Sequence, residues 1–157
     1  MTDPSPVPVP DGWTADRDGG TLTLQSPDTV FWTLTAVPDG PNPAAAVEGA
    51  LDGLREEYED LDALPVAGPP LAPGEAARDA EFFVLDSHVA ARLRAFRAGG
   101  VTYVIFYQGT DREVTARREE LEALGRRAWR GIEAAARPGE GFGEPPDSSE
   151  FPPARPR

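Results

Sequence analysis

Two short runs, Phe82-Phe83-Val84-Leu85 and Val104-Ile105-Phe106-Tyr107, are apolar or aromatic at every position. Successive side chains of a strand point to opposite faces of the sheet, so strands of this kind bury both faces and each face needs a cover. The sequence offers two long amphipathic segments for that purpose, one before these strands and one after. In the first, Asn42 stands at an N-cap position with Pro43 at the first helical site, where a missing N–H costs nothing. Val47, Ala50, Leu51, Leu54, Tyr58 and Leu61 then form an apolar stripe, with Glu48, Asp52, Arg55, Glu56 and Glu59 opposite. The second opens at Thr110-Asp111-Arg112-Glu113, which fits a capping box. Its stripe is Val114, Leu121, Leu124, Ala128 and Ile132, with Trp129 at the edge, and Arg126, Arg127 and Arg130 lie near its C-terminal turn, where the helix dipole favours cations. One helix per face gives an α+β fold, an α/β/α sandwich around a largely antiparallel sheet.

Turn chemistry supports the antiparallel reading. Strands at residues 13–17 and 21–26 flank Asp18-Gly19-Gly20, and strands at 89–97 and 101–108 flank Gly99-Gly100; such pairs accept the positive φ of tight hairpins. Further strands are expected at 30–37, after the turn Ser26-Pro27-Asp28-Thr29, and at 76–86. Residues 65–74, with four prolines and two glycines, read as a turn or crossing segment, with a short strand around 63–66.

Composition divides the chain. It has 157 residues with 18 Pro and 16 Gly, and 13 of those 34 fall in the first ten and last twenty positions. A flexible N-terminus at 1–6, a single domain at 7–137 and a disordered Pro, Gly and acid-rich tail at 138–157 are therefore expected. With no Cys there is no disulfide framework or thiolate site, and a single His88 rules out a two-histidine metal site within one chain. No apolar run approaches the ~20 residues of a membrane span, and Met1–Pro10 lacks the basic and apolar regions of a secretion signal, so a soluble cytoplasmic protein of bacterial type is expected. Residues 1–87 carry three Arg and 17 acids, a net −14, whereas residues 88–137 carry ten Arg and six acids, a net +4. The overall −12 repels nucleic-acid phosphates. All 15 basic residues are Arg, which reads as the coding bias of a GC-rich genome.

The order of the motifs resembles that of the PsbP-like family. The features that carry the resemblance are Val9-Pro10-Asp11-Gly12-Trp13, the hairpin Gly20-Thr21-Leu22-Thr23-Leu24-Gln25-Ser26-Pro27, the helix ending in Glu57-Tyr58, the strand Glu81-Phe82-Phe83-Val84-Leu85-Asp86, and Thr102-Tyr103-Val104-Ile105-Phe106-Tyr107-Gln108 leading into Asp111-Arg112-Glu113. Together they span residues 7–134. The resemblance implies an α/β/α sandwich without catalytic residues or cofactors, a fold shared by an oxygen-evolving-complex subunit, a Ran-binding nuclear import factor and bacterial proteins of unknown function. Its characterised members are protein-binding modules, and one bacterial branch resembles chaperones for secreted effectors.

Candidate chemistry is sparse. Asp86-Ser87-His88 holds the residue types of a serine triad, but consecutive residues on an extended segment alternate in direction and cannot bond in series. Asp16, Asp18 and Asp28 read as turn residues rather than calcium ligands, because Arg17 interrupts them and no bidentate Glu follows at the required spacing. The Gly139, Gly141, Gly143 series follows a helix, the wrong context for a phosphate loop. No catalytic, cofactor or metal residue is assigned. Arg92 and Arg94 share one face of a strand and are either an anion or acidic-partner site or the partners of acids such as Asp79 or Glu81. Trp13 and Trp32, if exposed, are the first interface anchors to test. The acidic run Glu56, Glu57, Glu59, Asp60, Asp62 reads as a solvated helix end able to meet a basic partner. The expectation is a non-enzymatic module, monomeric or weakly dimeric, that binds an unidentified protein as adaptor or chaperone. The alternative is a binder of a small apolar ligand or peptide in a cleft between sheet and helix.

Overall fold

A computed structural model of the protein describes residues 7–136. The expectations for residues 1–6 and for the tail at 138–157 lie outside the described residues. Seven strands, β1 (Thr14–Asp18), β2 (Thr21–Gln25), β3 (Phe31–Pro38), β4 (Asp62–Leu64), β5 (Ala76–Val84), β6 (Ser87–Ala98) and β7 (Val101–Thr110), form one sheet with α1 (Pro43–Glu57), α2 (Asp111–Ala116) and α3 (Arg118–Ala135) packed on it. The sheet order is β1-β2-β3-β7-β6-β5-β4, antiparallel at every pairing. This is the α+β sandwich that the doubly apolar strands require. No helix among the described residues is long and apolar enough to cross a membrane.

Cross-strand register sorts the side chains into two faces. On one face Val47 and Leu51 of α1 pack with Ala80, Phe82, Val89, Ala91, Leu93 and Ala95. On the other, Leu121, Leu124, Ala128 and Ile132 of α3 pack with Trp13, Leu22, Leu24, Trp32, Leu34, Phe96, Ile105 and Tyr107. Each helix thus covers about half of its face, and the halves are diagonal. On the α1 face the strands β2 and β3 carry Thr21, Thr23, Thr33 and Thr35 in register, a polar surface that needs no cover. On the α3 face, β5 and β6 carry charges instead, and residues 65–75 cross over that end with Leu71 and Ala72 tucked beside the core.

Three details depart from the sequence pattern. The stripe predicted to run through Leu61 outlasts its helix: Asn42 caps α1 by accepting from the Ala45 N–H at 2.8 Å, but Tyr58 is already extended and still stacks on Phe82, ring centroids 4.2 Å apart. The second helix is broken at Arg117 (φ −102°, ψ 10°), where the guanidinium leaves helical register to bond Asp28 in the β2–β3 turn and lies 5.5 Å over the Trp13 ring. Thr110 caps α2 as predicted, yet Glu113 does not close the capping box; its carboxylate accepts from the backbone N–H and hydroxyl of Thr29 instead.

Candidate functional site

The run Phe82-Phe83-Val84-Leu85 is not buried on both sides. Phe82 is enclosed, but Phe83 is 56% exposed, Val84 37% and Leu85 96%. The physical reason is the length of the neighbours: β4 pairs with β5 only as far as Glu81 and β7 with β6 only as far as Val89, so the end of the β5–β6 hairpin overhangs the paired sheet. Its loop is the two-residue turn Leu85-Asp86 between paired Val84 and Ser87, and Leu85 adopts φ +56°. The other two-residue hairpin turns, Gly19-Gly20 and Gly99-Gly100, place glycine at that position, with φ +60° and +58°. A left-handed residue with a Cβ costs roughly 1–2 kcal/mol, and a side chain that is 96% exposed recovers none of it by packing within the domain.

Acids surround this tip. Asp60 accepts from the Phe83 N–H at 3.3 Å, Asp62 stands opposite Glu81 in the β4–β5 register, and Asp86 is in the turn itself. His88 stacks on Phe83 with centroids 5.1 Å apart, and its Nε2 lies 3.2 Å from Glu81 Oε1. An open groove of about 490 Å³ beside it is lined by Ser87, His88, Thr110, Asp111, Arg112 and Glu113. Ser87 and His88 are successive residues of β6 and point to opposite faces, Asp86 is in the turn before them, and the Thr110 hydroxyl is engaged in capping α2, so among the described residues this groove holds the residue types of acid–base chemistry without a nucleophile–base pair.

Arg92 and Arg94 are brought together, but inward. Both lie on the α3 face, in cross-strand rows with Tyr107 and Asp79 for Arg92 and with Ile105 and Ala77 for Arg94. Arg92 makes a bidentate pair with Asp79 at 2.6 and 3.0 Å, one of the two acids the sequence suggested; Glu81 goes to His88 instead. Arg94, only 3% exposed, donates to Glu75 and to Glu122 at 2.6 Å each. Glu122 also accepts from the Tyr107 hydroxyl at 2.7 Å, and Arg118 donates to that hydroxyl at 2.9 Å. Burial opposes the charge of Glu122, but the Tyr107 hydrogen bond and the Arg94 and Arg92 charges outweigh it and hold the carboxyl below its ordinary range. Burial and the Glu122 charge together push the Tyr107 hydroxyl far up, so it remains a donor. Charge pairs this enclosed are inaccessible to a docking surface, which removes the exposure on which a partner-binding role for the Arg pair depends.

The tryptophans are also interior: Trp32 is fully buried and Trp13 is 7% exposed, so neither offers an indole face to a partner. Leu85 and Asp86, expected inside the strand at 76–86, form the turn that follows β5. No cluster of three or more His, Cys, Asp or Glu side chains able to hold a metal ion occurs among the described residues.

Two further cavities flank α3. One, of about 340 Å³, lies under its last turns and is lined by Arg17, Leu22, Leu34, Tyr103, Ile132 and Ala135, among others. The other, of about 320 Å³, is a slot between α3 and residues 67–71 with Arg92 and Arg94 in its wall.

Compared with known proteins, the chain matches no family model and no curated protein sequence. Among solved structures it is similar to a point mutant of the protein Mog1, at 12% identity and a TM-score of 0.50 over 82% of this chain and 84% of that one. It also aligns with LpqN, a protein involved in cell envelope biogenesis of Mycobacterium tuberculosis, at 14% identity and a TM-score of 0.46 over 75% and 77% of the two chains. The likeness to Mog1 shows a common fold, the one that the PsbP-like resemblance implied.

Proposed function

We propose that the domain is a non-enzymatic protein-interaction module that docks its partner through the overhanging β5–β6 tip. The observation that carries this reading is Leu85, held in the left-handed region at a position 96% exposed. Backbone strain that the fold does not need points to a function outside the fold. Leu85 at the turn, with Phe83 and Val84 on opposite faces of the hairpin end, supplies exposed apolar side chains, and Asp60, Asp62, Glu81 and Asp86 supply a rim of acids. The matching partner surface is an apolar pocket rimmed by Arg or Lys. An anionic membrane surface fits poorly, because the same acids are repelled by it.

The test is site-specific photo-crosslinking in the native host, with the probe at position 83 and, as control, at the exposed Gln25 on the distant strand β2. A distinct adduct from position 83 alone, abolished when Leu85→Asp is added and weakened at high salt, is the expected result. Equal adducts from both positions, or adducts indifferent to Leu85→Asp, would sink the reading.

The 340 Å³ cavity under the C-terminal turns of α3 favours a second reading, a small apolar ligand bound between sheet and helix. Its walls are aliphatic, with Arg17 and Tyr103 as polar groups. An apolar fluorophore whose binding is lost on Ala135→Trp is the observation that would favour it over the tip.

A further inference from the structure

The slot between α3 and the proline-rich crossing segment is walled in part by Arg94, one of whose donors the fold leaves over. Arg94 is nearly fully buried and uses Nη1 on Glu75 and Nη2 on Glu122, while its Nε–H has no acceptor among the described residues. A buried guanidinium donor without an acceptor is destabilising, so an oxygen that reaches it is favoured. Arg94 lines the slot together with Arg92, Glu122 and Arg126, and the facing wall is Ala67, Pro69, Pro70 and Leu71. Arg126 is exposed at the α3 side of the slot, and none of the ion pairs among the described residues engages it.

The charges in and beneath the slot select the ligand. Arg92, Arg94 and Arg126 line the slot with Glu122; Arg92 and Arg94 are paired with Asp79, Glu75 and Glu122, which leaves Arg126 as the lining cation without an anion among the described residues. One negative charge pairs it; two would leave an excess beside Glu122. The facing wall is apolar and two of its residues are prolines, so covering it costs little ordering entropy. A volume of about 320 Å³ lies at the small end of ligand cavities. We propose that this slot binds a small monocarboxylate with an apolar body, its carboxylate on the Arg94 Nε–H and the Arg126 guanidinium and its body against Pro69, Pro70 and Leu71. This site is separate from the β5–β6 tip and stands or falls without it.

The experiment follows the arginine Nε–Hε resonances of the isotopically labelled full chain by NMR, titrating benzoate, benzamide and inorganic phosphate at constant ionic strength. Expected is a saturable shift of the Arg94 Nε–Hε signal with benzoate, half-complete at millimolar concentration, about −4 kcal/mol in binding free energy. Benzamide and phosphate are expected to bind at least about tenfold more weakly, a difference of roughly 1.4 kcal/mol. Arg92 and Arg94 variants risk unfolding, so the exposed Arg126→Ala carries the mutational arm, with an expected loss of about fivefold, against less than about twofold for the control Arg127→Ala, which removes the same charge one residue away. A shift that stays linear through 50 mM benzoate (roughly fifty times the expected midpoint), equal binding of benzamide, tighter binding of phosphate, or equal loss in both variants overturns the proposal.

Discussion

Replacing Glu122 by Gln tests whether the buried charge cluster is structural. Glu122 sits on α3 with its side chain 16% exposed and accepts from Arg94 at 2.6 Å and from Tyr107 at 2.7 Å, with Arg92 Nη1 at 3.3 Å. Gln keeps the shape and one acceptor but removes the charge that two buried guanidinium groups face. Breaking a buried pair from one side costs about 3–5 kcal/mol. Arg94 retains Glu75 and Arg92 retains Asp79, which places the expectation at the low end, about 3 kcal/mol. For a domain of this size that is a fall of roughly 12 °C in Tm, out of a total stability of about 5–15 kcal/mol. The sign with pH follows from the direction of the Glu122 shift. Its folded pKa lies below the ordinary value of 4.5, so the folded state holds fewer protons on it than the unfolded state does. The contribution is complete above about pH 4.5 and is lost as pH falls through the folded value. Charged and titratable groups facing it are Arg92, Arg94, Arg118, Arg126, Tyr107, Glu75 and Asp79; the difference between wild type and Glu122→Gln isolates Glu122 from them. Urea denaturation at pH 7 and at pH 3.5 measures that difference. It should be near 3 kcal/mol at pH 7 and clearly smaller at the acid pH. The control Glu120→Gln, whose partner Arg117 is 3.0 Å away on a half-exposed helical turn, should cost no more than about 0.5 kcal/mol. A cost below about 1 kcal/mol for Glu122→Gln at pH 7, or one independent of pH, refutes the reasoning.

Three other substitutions have signs fixed by local geometry. In Gly109→Ala, a Cβ would lie 2.6 Å from Val30 Cγ2, 3.1 Å from its Cα and 3.3 Å from Val114 Cγ2; the backbone contact cannot yield cheaply, and a loss of about 1–3 kcal/mol by chemical denaturation is expected. Asn42→Ala removes the acceptor for the Ala45 N–H and should cost about 1 kcal/mol, with an unchanged stability arguing against the cap. Leu85→Asn releases left-handed strain without losing packing, since the side chain is 96% exposed. It should stabilise the isolated domain by about 0.5–1 kcal/mol while abolishing the crosslink from position 83; a destabilised domain would show that Leu85 serves the fold.

Much of the fold was legible because local signals agreed with one another. Gly99-Gly100 and Asp18-Gly19-Gly20 announced hairpins, Asn42-Pro43 announced a helix start, and the apolar spacing of Val47, Leu51 and Leu54 announced its buried side. What stayed hidden depended on tertiary position. Nothing in the spacing of Tyr58 and Leu61 tells that the helix ends at Glu57 while the apolar side chains go on to the sheet. Arg117 breaks a good helical pattern because of Asp28, 89 residues away in sequence. Phe83, Val84 and Leu85 look like buried strand residues by composition, and they are surface because neither helix reaches the hairpin end and the strand stops at Val84. For the same reason the enclosure of Arg92 and Arg94 was not legible: they alternate correctly on β6, but the identity of the layer above them is set by where α3 and residues 65–75 lie.

That placement separates two roles that the sequence runs together. Arg92, Arg94, Glu75, Asp79 and Glu122 tie α3 and the crossing segment to the polar half of the sheet, so any change there disturbs the fold before it can report on binding. The tip is the reverse case. Phe83 and Leu85 contribute little to the core, the turn at Leu85 is held at a cost, and the hairpin beneath is fixed by the long β5–β6 ladder. Charge reversal at the buried arginines would therefore lose binding and structure together and decide nothing. A polar residue at 85 should leave the domain folded or firmer, so loss of a partner there can be assigned to the surface itself.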